Sequence, residues 1–432
     1  MHRLIVLAVL LCVACGDKPL PPPDAGTESP PTFVVHSDWW DFVPYPDSPD
    51  WAITVLLGDG SRFRQPLGRD GIARFHDAAI TGPQDITFVV VSEGSVTVGT
   101  TLAVEGPEVW VRSGFALIGG GLPDNRQATL TGRVTNQPGN STTVNVVGKG
   151  FAGKTRANGD GTFRVDALGK DAGRVSLFAR DPAGDGRVGM VRDVAVGWEL
   201  VLSDLVIPLD HPLDQRHPLE VTRLQPYGAV TNVFTVFTLG SEPLFSMQQQ
   251  GAAPTEIRTM ARTPPFDTVD VQAVVMAGDS EWIAGGQVRA RTPLSHEGVT
   301  SLALPEPAML TSPEPGPWYR PGVWPRSGLT LRWSADPMAD IVTMRWMSQE
   351  ATPQFLWFFT APAASSGFTP FKLPAEVSPT RELPPGRHSV QWFSRSLGAG
   401  LGYQDFFKKE APSLEAPDSW VTDAYGGVIL QD

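Results

Sequence analysis

Gly148-Lys-Gly-Phe-Ala-Gly-Lys154-Thr155 carries the spacing of a phosphate-binding loop, G-x-x-x-x-G-K-[ST]. Gly148, Gly150 and Gly153 also fit the dinucleotide fingerprint G-x-G-x-x-G. Either motif works only where the glycines lead from a strand into a helix, because the helix N-terminal amides and dipole hold the phosphates. A strand is expected before the motif, over residues 142–147. After it the chain enters Asn158-Gly-Asp-Gly161, and those residue types favour a turn over a helix. The segment therefore reads as a Gly-rich loop between two strands, and no nucleotide is expected. The histidines are His2, His36, His76, His211, His217, His296 and His388. Only His211 and His217 lie near each other in sequence with carboxylates, Asp210 and Asp214, beside them. A catalytic zinc needs about three protein ligands on one point, and Pro212 and Pro218 place this stretch in an extended loop. Neither H-E-x-x-H nor G-x-S-x-G occurs, so a hydrolase ranks last among the readings. The Asp-rich turns around Asp160 and over residues 181–185 offer oxygens to Ca²⁺ without EF-hand spacing, and turn chemistry accounts for them. No metal or cofactor is expected.

The aromatic residues are the better lead. Seven of the thirteen Trp follow residue 309: Trp318, Trp324, Trp333, Trp346, Trp357, Trp392 and Trp420. Phe355-Leu-Trp-Phe-Phe359 is apolar at every position, so a strand there carries large side chains on both faces. One face enters a core. The other is covered by a neighbouring element or left open. A large exposed apolar patch marks a binding site, and aromatic platforms suit sugar rings. Trp357 and Phe359 are thus the candidate ligand-binding residues, with core burial as the competing reading. Trp39-Trp40 is a similar, weaker pair.

These residues must be positioned by strands. The chain has 432 residues with 44 Gly and 41 Pro, about one residue in five. After the first fifteen residues the longest stretch free of both is 338–352, so long helices are excluded and short strands joined by turns are expected. The alternation of Ile341, Thr343 and Arg345 makes even that stretch a strand. Hydrophobic residues make up 41%, enough for sizeable cores, and the length allows about two to four domains. Lys and Arg number 34 against 46 Asp and Glu, a net charge of −12 with no basic run, which speaks against nucleic acid.

The first residues form an address. His2-Arg3 precedes an apolar run over 4–11 that is too short to span a bilayer. Leu11-Cys-Val-Ala-Cys15-Gly16 resembles the lipobox of bacterial lipoproteins, with Cys12 where Leu is usual. The resemblance implies a signal peptide over 1–14, lipid attachment at Cys15 and anchoring to a membrane. With Gly16 rather than Asp next, it implies the outer membrane or cell surface. Residues 15–32 follow as a Pro-rich linker with six prolines between 17 and 32, an extended spacer. Cys12 and Cys15 are the two cysteines, so the mature body carries neither a disulfide nor a thiol nucleophile.

The expected architecture is all-β, a tandem of β-sandwich modules over 33–126, 127–200, 201–308 and 309–432. Asp70-Gly71 and Asp160-Gly161 lie at the same offset in the first two, each opening an alternating strand, and Asp-Gly is a strong hairpin signal. The order Gly132-Arg-Val134, Asn158-Gly-Asp-Gly-Thr-Phe-Arg-Val165, then Val175-Ser-Leu-Phe-Ala-Arg-Asp181 resembles the carboxypeptidase regulatory-like (transthyretin-like) sandwich, an accessory module without catalytic residues. Gly328-Leu-Thr-Leu-Arg-Trp333 and Pro384-Pro-Gly-Arg-His388-Ser-Val-Gln-Trp392 resemble a fibronectin type III-like sandwich, with His388 at the usual Tyr. The range 201–308 resembles no family. The implied role is a membrane-anchored surface lipoprotein, structural or interacting with an unknown protein. The alternative is a carbohydrate-binding surface protein that uses the C-terminal aromatics.

Overall fold

Alternation with a period of two shapes this chain. Along Ile341–Ser348, Val342, Met344, Trp346 and Ser348 are buried while Thr343, Arg345 and Met347 are half-exposed. The longest stretch without Gly or Pro is thus built around a strand, as its pattern implies. The computed structural model describes residues 32–37, 52–112, 126–148, 151–169, 173–183, 186–197, 199–240, 242–249, 256–278 and 286–432. The expected signal peptide, most of the linker, Cys15, Trp39 and Trp40 lie outside these residues. Among the described residues regular structure is strand throughout, apart from 3-10 turns at Gln225–Tyr227 and Tyr403–Phe407, so the fold is all-β.

A thirteen-stranded sheet dominates. Its order begins with Glu242–Gln249, Val230–Leu239, Val269–Gly278 and Gln287–Pro293. It continues through Trp420–Gln431, Gly386–Ser396, Ile341–Ser348 and Gln354–Pro362. It ends with Ser95–Val104, Gln84–Ser92, Ala52–Leu57 and Phe63–Pro66, while Gly322–Pro325 pairs beside Trp420–Gln431. One sheet therefore crosses the ranges 33–126, 201–308 and 309–432. The seam between the first and last of them is a parallel ladder from Gln354↔Ser95 to Thr360↔Thr101. The range 127–200 forms most of a separate eight-stranded sheet, whose edge strand Val201–Pro208 runs parallel to Arg126–Thr135.

The cores follow this sheet rather than the sequence ranges. Leu56, Val89, Val96 and Val98 pack with Trp346, Trp357, Phe359 and Trp392 on one face. Ile53, Val55, Ile86 and Phe88 turn to the other face, against Phe33, Val35, Phe75 and Val109 of a small three-stranded sheet. Phe178, Val188 and Met190 of the eight-stranded sheet are buried with Val233, Phe237 and Val275 of the following range.

Two local expectations are corrected. Asp70-Gly71 opens Ile72–Phe75, yet it closes no hairpin. The preceding strand Phe63–Pro66 pairs with Ala52–Leu57 in the large sheet, whereas Ile72–Phe75 pairs with Phe33–Ser37 in the small one. The turn carries the chain between layers. Its geometry recurs at Asp160-Gly161: Gly71 and Gly161 have φ of 72° and 87°, and an added Cβ would lie 2.6 Å from the Ser37 carbonyl or 2.2 Å from that of Val134. The strand expected over 328–333 shrinks to Arg332–Ser334, because Leu331 bridges to Phe368 instead.

Candidate functional site

Trp357 and Phe359, expected as a ligand platform, lie in the core at 2% and 1% exposure. Phe359 stacks on Phe368 with ring centroids 4.5 Å apart, and Trp357 meets Phe368 and Phe371 edge-on. The Trp357 indole N–H donates to Thr100 Oγ1 at 2.9 Å. Both rings are covered, because the odd positions of this strand face the layer built by 309–334 and 368–383. They present no stacking surface.

The opposite face of the same strand differs. Leu356, Phe358 and Thr360 are half-exposed. Residues directly opposite each other in antiparallel strands share a face. The register therefore sets Phe358, Arg345, Gln391 and Tyr425 in one row across four strands. Thr360, Thr343, Phe393, Asp423 and Gln287 form the next row. The Arg345 guanidinium lies 5.6 Å from the Phe358 ring centroid, a cation–π contact. Burial pushes the Asp423 carboxyl above the usual carboxylate range, against backbone hydrogen bonds that pull it down. Burial also lowers the Arg395 guanidinium from its ordinary value. This face offers ring surface, an amide, two guanidinium groups and a carboxyl: binding chemistry, with no nucleophile held by a base. Alternation along 355–359 already implied a second face there. Tyr425 and Asp423 stayed hidden, since their strand contains Gly426-Gly427.

The remaining motifs resolve into structural roles. The phosphate-loop pattern spans an antiparallel hairpin of Thr143–Gly148 and Phe151–Arg156, with Gly153, Lys154 and Thr155 inside the second strand. Lys149 and Gly150 lie outside the described residues. His217 shares a 2.9 Å hydrogen bond with Thr259 Oγ1, and burial, then His296, lowers its pKa. His211 meets Phe266 edge-on. His36 stacks on Trp110 and lies 2.7 Å from Glu108 Oε1. His388 is fully buried and donates from Nε2 to the Pro384 carbonyl at 2.8 Å. Asp181 accepts from the Gly139 amide, the Thr142 hydroxyl and the Ala183 amide. Asp160 accepts from the amide and hydroxyl of Thr162, which hold its carboxyl below its ordinary value. Among the described residues no group of three or more His, Cys, Asp or Glu is placed to hold a metal ion.

No protein-family model matches the chain, and no curated protein matches it. Among solved structures, it is similar to two B repeat units of the collagen binding protein of Staphylococcus aureus at 8% identity. That match covers 76% of this chain and 99% of the other, with a TM-score of 0.14. Immunoglobulin domains 1–5 of Sidekick-1 match at 11% identity over 89% of this chain and 74% of that one, TM-score 0.12. The eight N-terminal Ig domains of Down Syndrome Cell Adhesion Molecule match at 8% over 94% and 71%, TM-score 0.14.

Proposed function

We propose that this chain is a surface lipoprotein, anchored through Cys15, with a non-catalytic structural or protein-interaction role. The observation that carries the reading is the parallel ladder joining Gln354–Pro362 to Ser95–Val104. It ties strands of the range 33–126 to the C-terminal third in one sheet, as suits a rigid body held off a membrane by a Pro-rich spacer. The accessory-sandwich resemblance of 127–200 points the same way.

Metabolic labelling with a fatty acid, followed by membrane fractionation, tests the anchor. The native chain takes up label and sediments with membranes, and Cys15→Ser loses both. A Cys15→Ser chain that stays with the membrane overturns the assignment. The carbohydrate reading passes from Trp357 and Phe359 to the half-exposed row of Phe358 and Tyr425. Binding on a glycan array that Phe358→Ala abolishes would favour it over the interaction role.

A further inference from the structure

A cleft of about 550 Å³ opens between the hairpin Thr143–Gly148/Phe151–Arg156 and the strand Glu242–Gln249, a volume within the range of ligand pockets. Thr143, Asn145, Lys154 and Arg180 line one side and Leu244 and Phe245 the other. The register shows how the cations gather. Thr143 lies opposite Arg156 on one neighbouring strand and Arg180 on the other, and Asn145 lies opposite Lys154. Such partners share a face, so three cationic side chains surround Thr143 and Asn145. Among the described lining residues none is Asp or Glu. Asp166, on the same outer face, accepts from Thr129 Oγ1 at 2.8 Å and lies 3.7 Å from Arg164. In a chain of net charge −12, this local excess of positive charge is unusual.

Arg180 is held in place but not satisfied. Its guanidinium sits 5.7 Å from the Phe245 ring centroid, and its buried Nε has no hydrogen-bond partner. Phe245 is fixed in turn, stacked between Phe178 and Phe237 with centroids 4.2 Å from each. The cleft wall at Glu242–Gln249 is the edge strand of the large sheet, paired on one side with Val230–Leu239. On its other side Leu244 O accepts from the Asn145 amide at 3.4 Å. An edge strand offers unpaired backbone groups to an extended peptide.

We propose that this cleft binds an extended acidic peptide, whose backbone pairs along the Glu242–Gln249 edge and whose carboxylates meet Arg180, Lys154 and Arg156. The proposal deepens the interaction role and rests on it, while being independent of the anchor that fatty-acid labelling reads. Charge complementarity selects the class: Lys154 and Arg180 line the cleft with no carboxylate among its lining residues, Arg156 stands opposite Thr143 beside them, and the strand edge favours a peptide over a free ion. Lys154 thereby keeps an anion-binding task, though not the one its G-K-T context suggests.

Fluorescence polarisation with the full chain in detergent tests this, using a labelled peptide of alternating Glu and Val. The expected result is saturable binding that weakens as NaCl rises. The double change Lys154→Glu/Arg156→Glu should weaken it by about tenfold or more, equivalent to about 1.4 kcal/mol. These two side chains are exposed, so the fold should survive; Arg180→Gln provides the second variant, and Lys409→Glu is the distant control. Four outcomes overturn the proposal: no saturable binding, equal binding of the Gln-for-Glu peptide, unchanged affinity in the double variant, or tighter binding of an oligo-dT or an oligoglucuronate. Cys15 labelling is read separately, so loss of the anchor and failure of the cleft are distinguishable.

Discussion

Trp357 and Thr100, 257 positions apart in sequence, share a buried hydrogen bond of 2.9 Å across the seam that joins the first and last parts of the large sheet. Thr100 Oγ1 also lies 3.0 Å from Thr87 Oγ1, so a polar chain crosses three strands inside an otherwise apolar core. All three residues are 2% exposed or less. The indole ring supplies the core volume and its N–H fixes the register of the parallel ladder.

Thr100→Val keeps the shape and removes the acceptor. The Trp357 N–H is then buried without a partner, at a cost of about 1–3 kcal/mol. Urea denaturation followed by tryptophan fluorescence should show a lower midpoint at an unchanged slope. Because the seam ties 95–104 to 354–362, probes in the two ranges should report one transition. Separate transitions would mean that the ladder does not couple them.

Gly426→Val should destabilise through overpacking. Trp420–Gln431 is a twelve-residue strand with two glycines inside it. An added Cβ at Gly426 would lie 2.8 Å from Pro315 Cβ, and one at Gly427 would lie 3.0 Å from Pro321 Cβ. The segment 315–321 packs against the strand there, with Gly316 and Gly427 paired through their backbones. A larger side chain should cost about 1–3 kcal/mol, read as a fall in Tm. An unchanged Tm would mean that the 315–321 segment yields freely.

Those glycines also explain what was legible in the sequence. Strands rich in apolar and β-branched residues with no internal Gly are readable: Val230–Leu239, Ile341–Ser348 and Gln354–Pro362 follow from residue type and pattern alone. Trp420–Gln431 is not, because Gly-Gly reads as a turn unless the segment packed against it is known. The Asp70-Gly71 turn was placed correctly while its partner strand was not, since local turn chemistry is silent on which sheet the chain enters next. Trp357 and Phe358 show the same limit at the candidate site. Sequence established two apolar faces, and only the packing of 309–334 and 368–383 decides which one is covered.

Acidification should weaken the fold through His388. Burial lowers its folded-state pKa below the ordinary histidine value, against the hydrogen bond to Pro384 that raises it. Its buried Nδ1 has no partner. The unfolded chain therefore binds a proton at a higher pH than the folded one does. The stability from keeping His388 neutral is fully present above about pH 6.5 and is lost as pH falls through that value toward the depressed one. His217, also lowered, adds in the same direction. Urea midpoints from pH 7.5 to 5 should fall less steeply for His388→Gln than for the native chain. Equal slopes would assign the titration elsewhere.

Asp181→Asn separates a turn anchor from a calcium ligand. Its Oδ2 accepts from the Gly139 N–H at 3.1 Å and the Thr142 hydroxyl at 2.8 Å, and its Oδ1 from the Ala183 N–H at 2.8 Å. The carboxylate is fully buried, so these donors hold both oxygens from the protein side. Asparagine replaces one acceptor with a donor that faces another donor. The change should cost about 1–3 kcal/mol, since one buried hydrogen bond is lost and its partner is left unsatisfied. A cation that binds only the folded state raises Tm with concentration. Millimolar Ca²⁺ should leave the Tm of the native chain unchanged, because the oxygens that a cation needs are already engaged by amide and hydroxyl protons. A Ca²⁺-dependent rise in Tm that Asp181→Asn removes would make this turn a metal site instead.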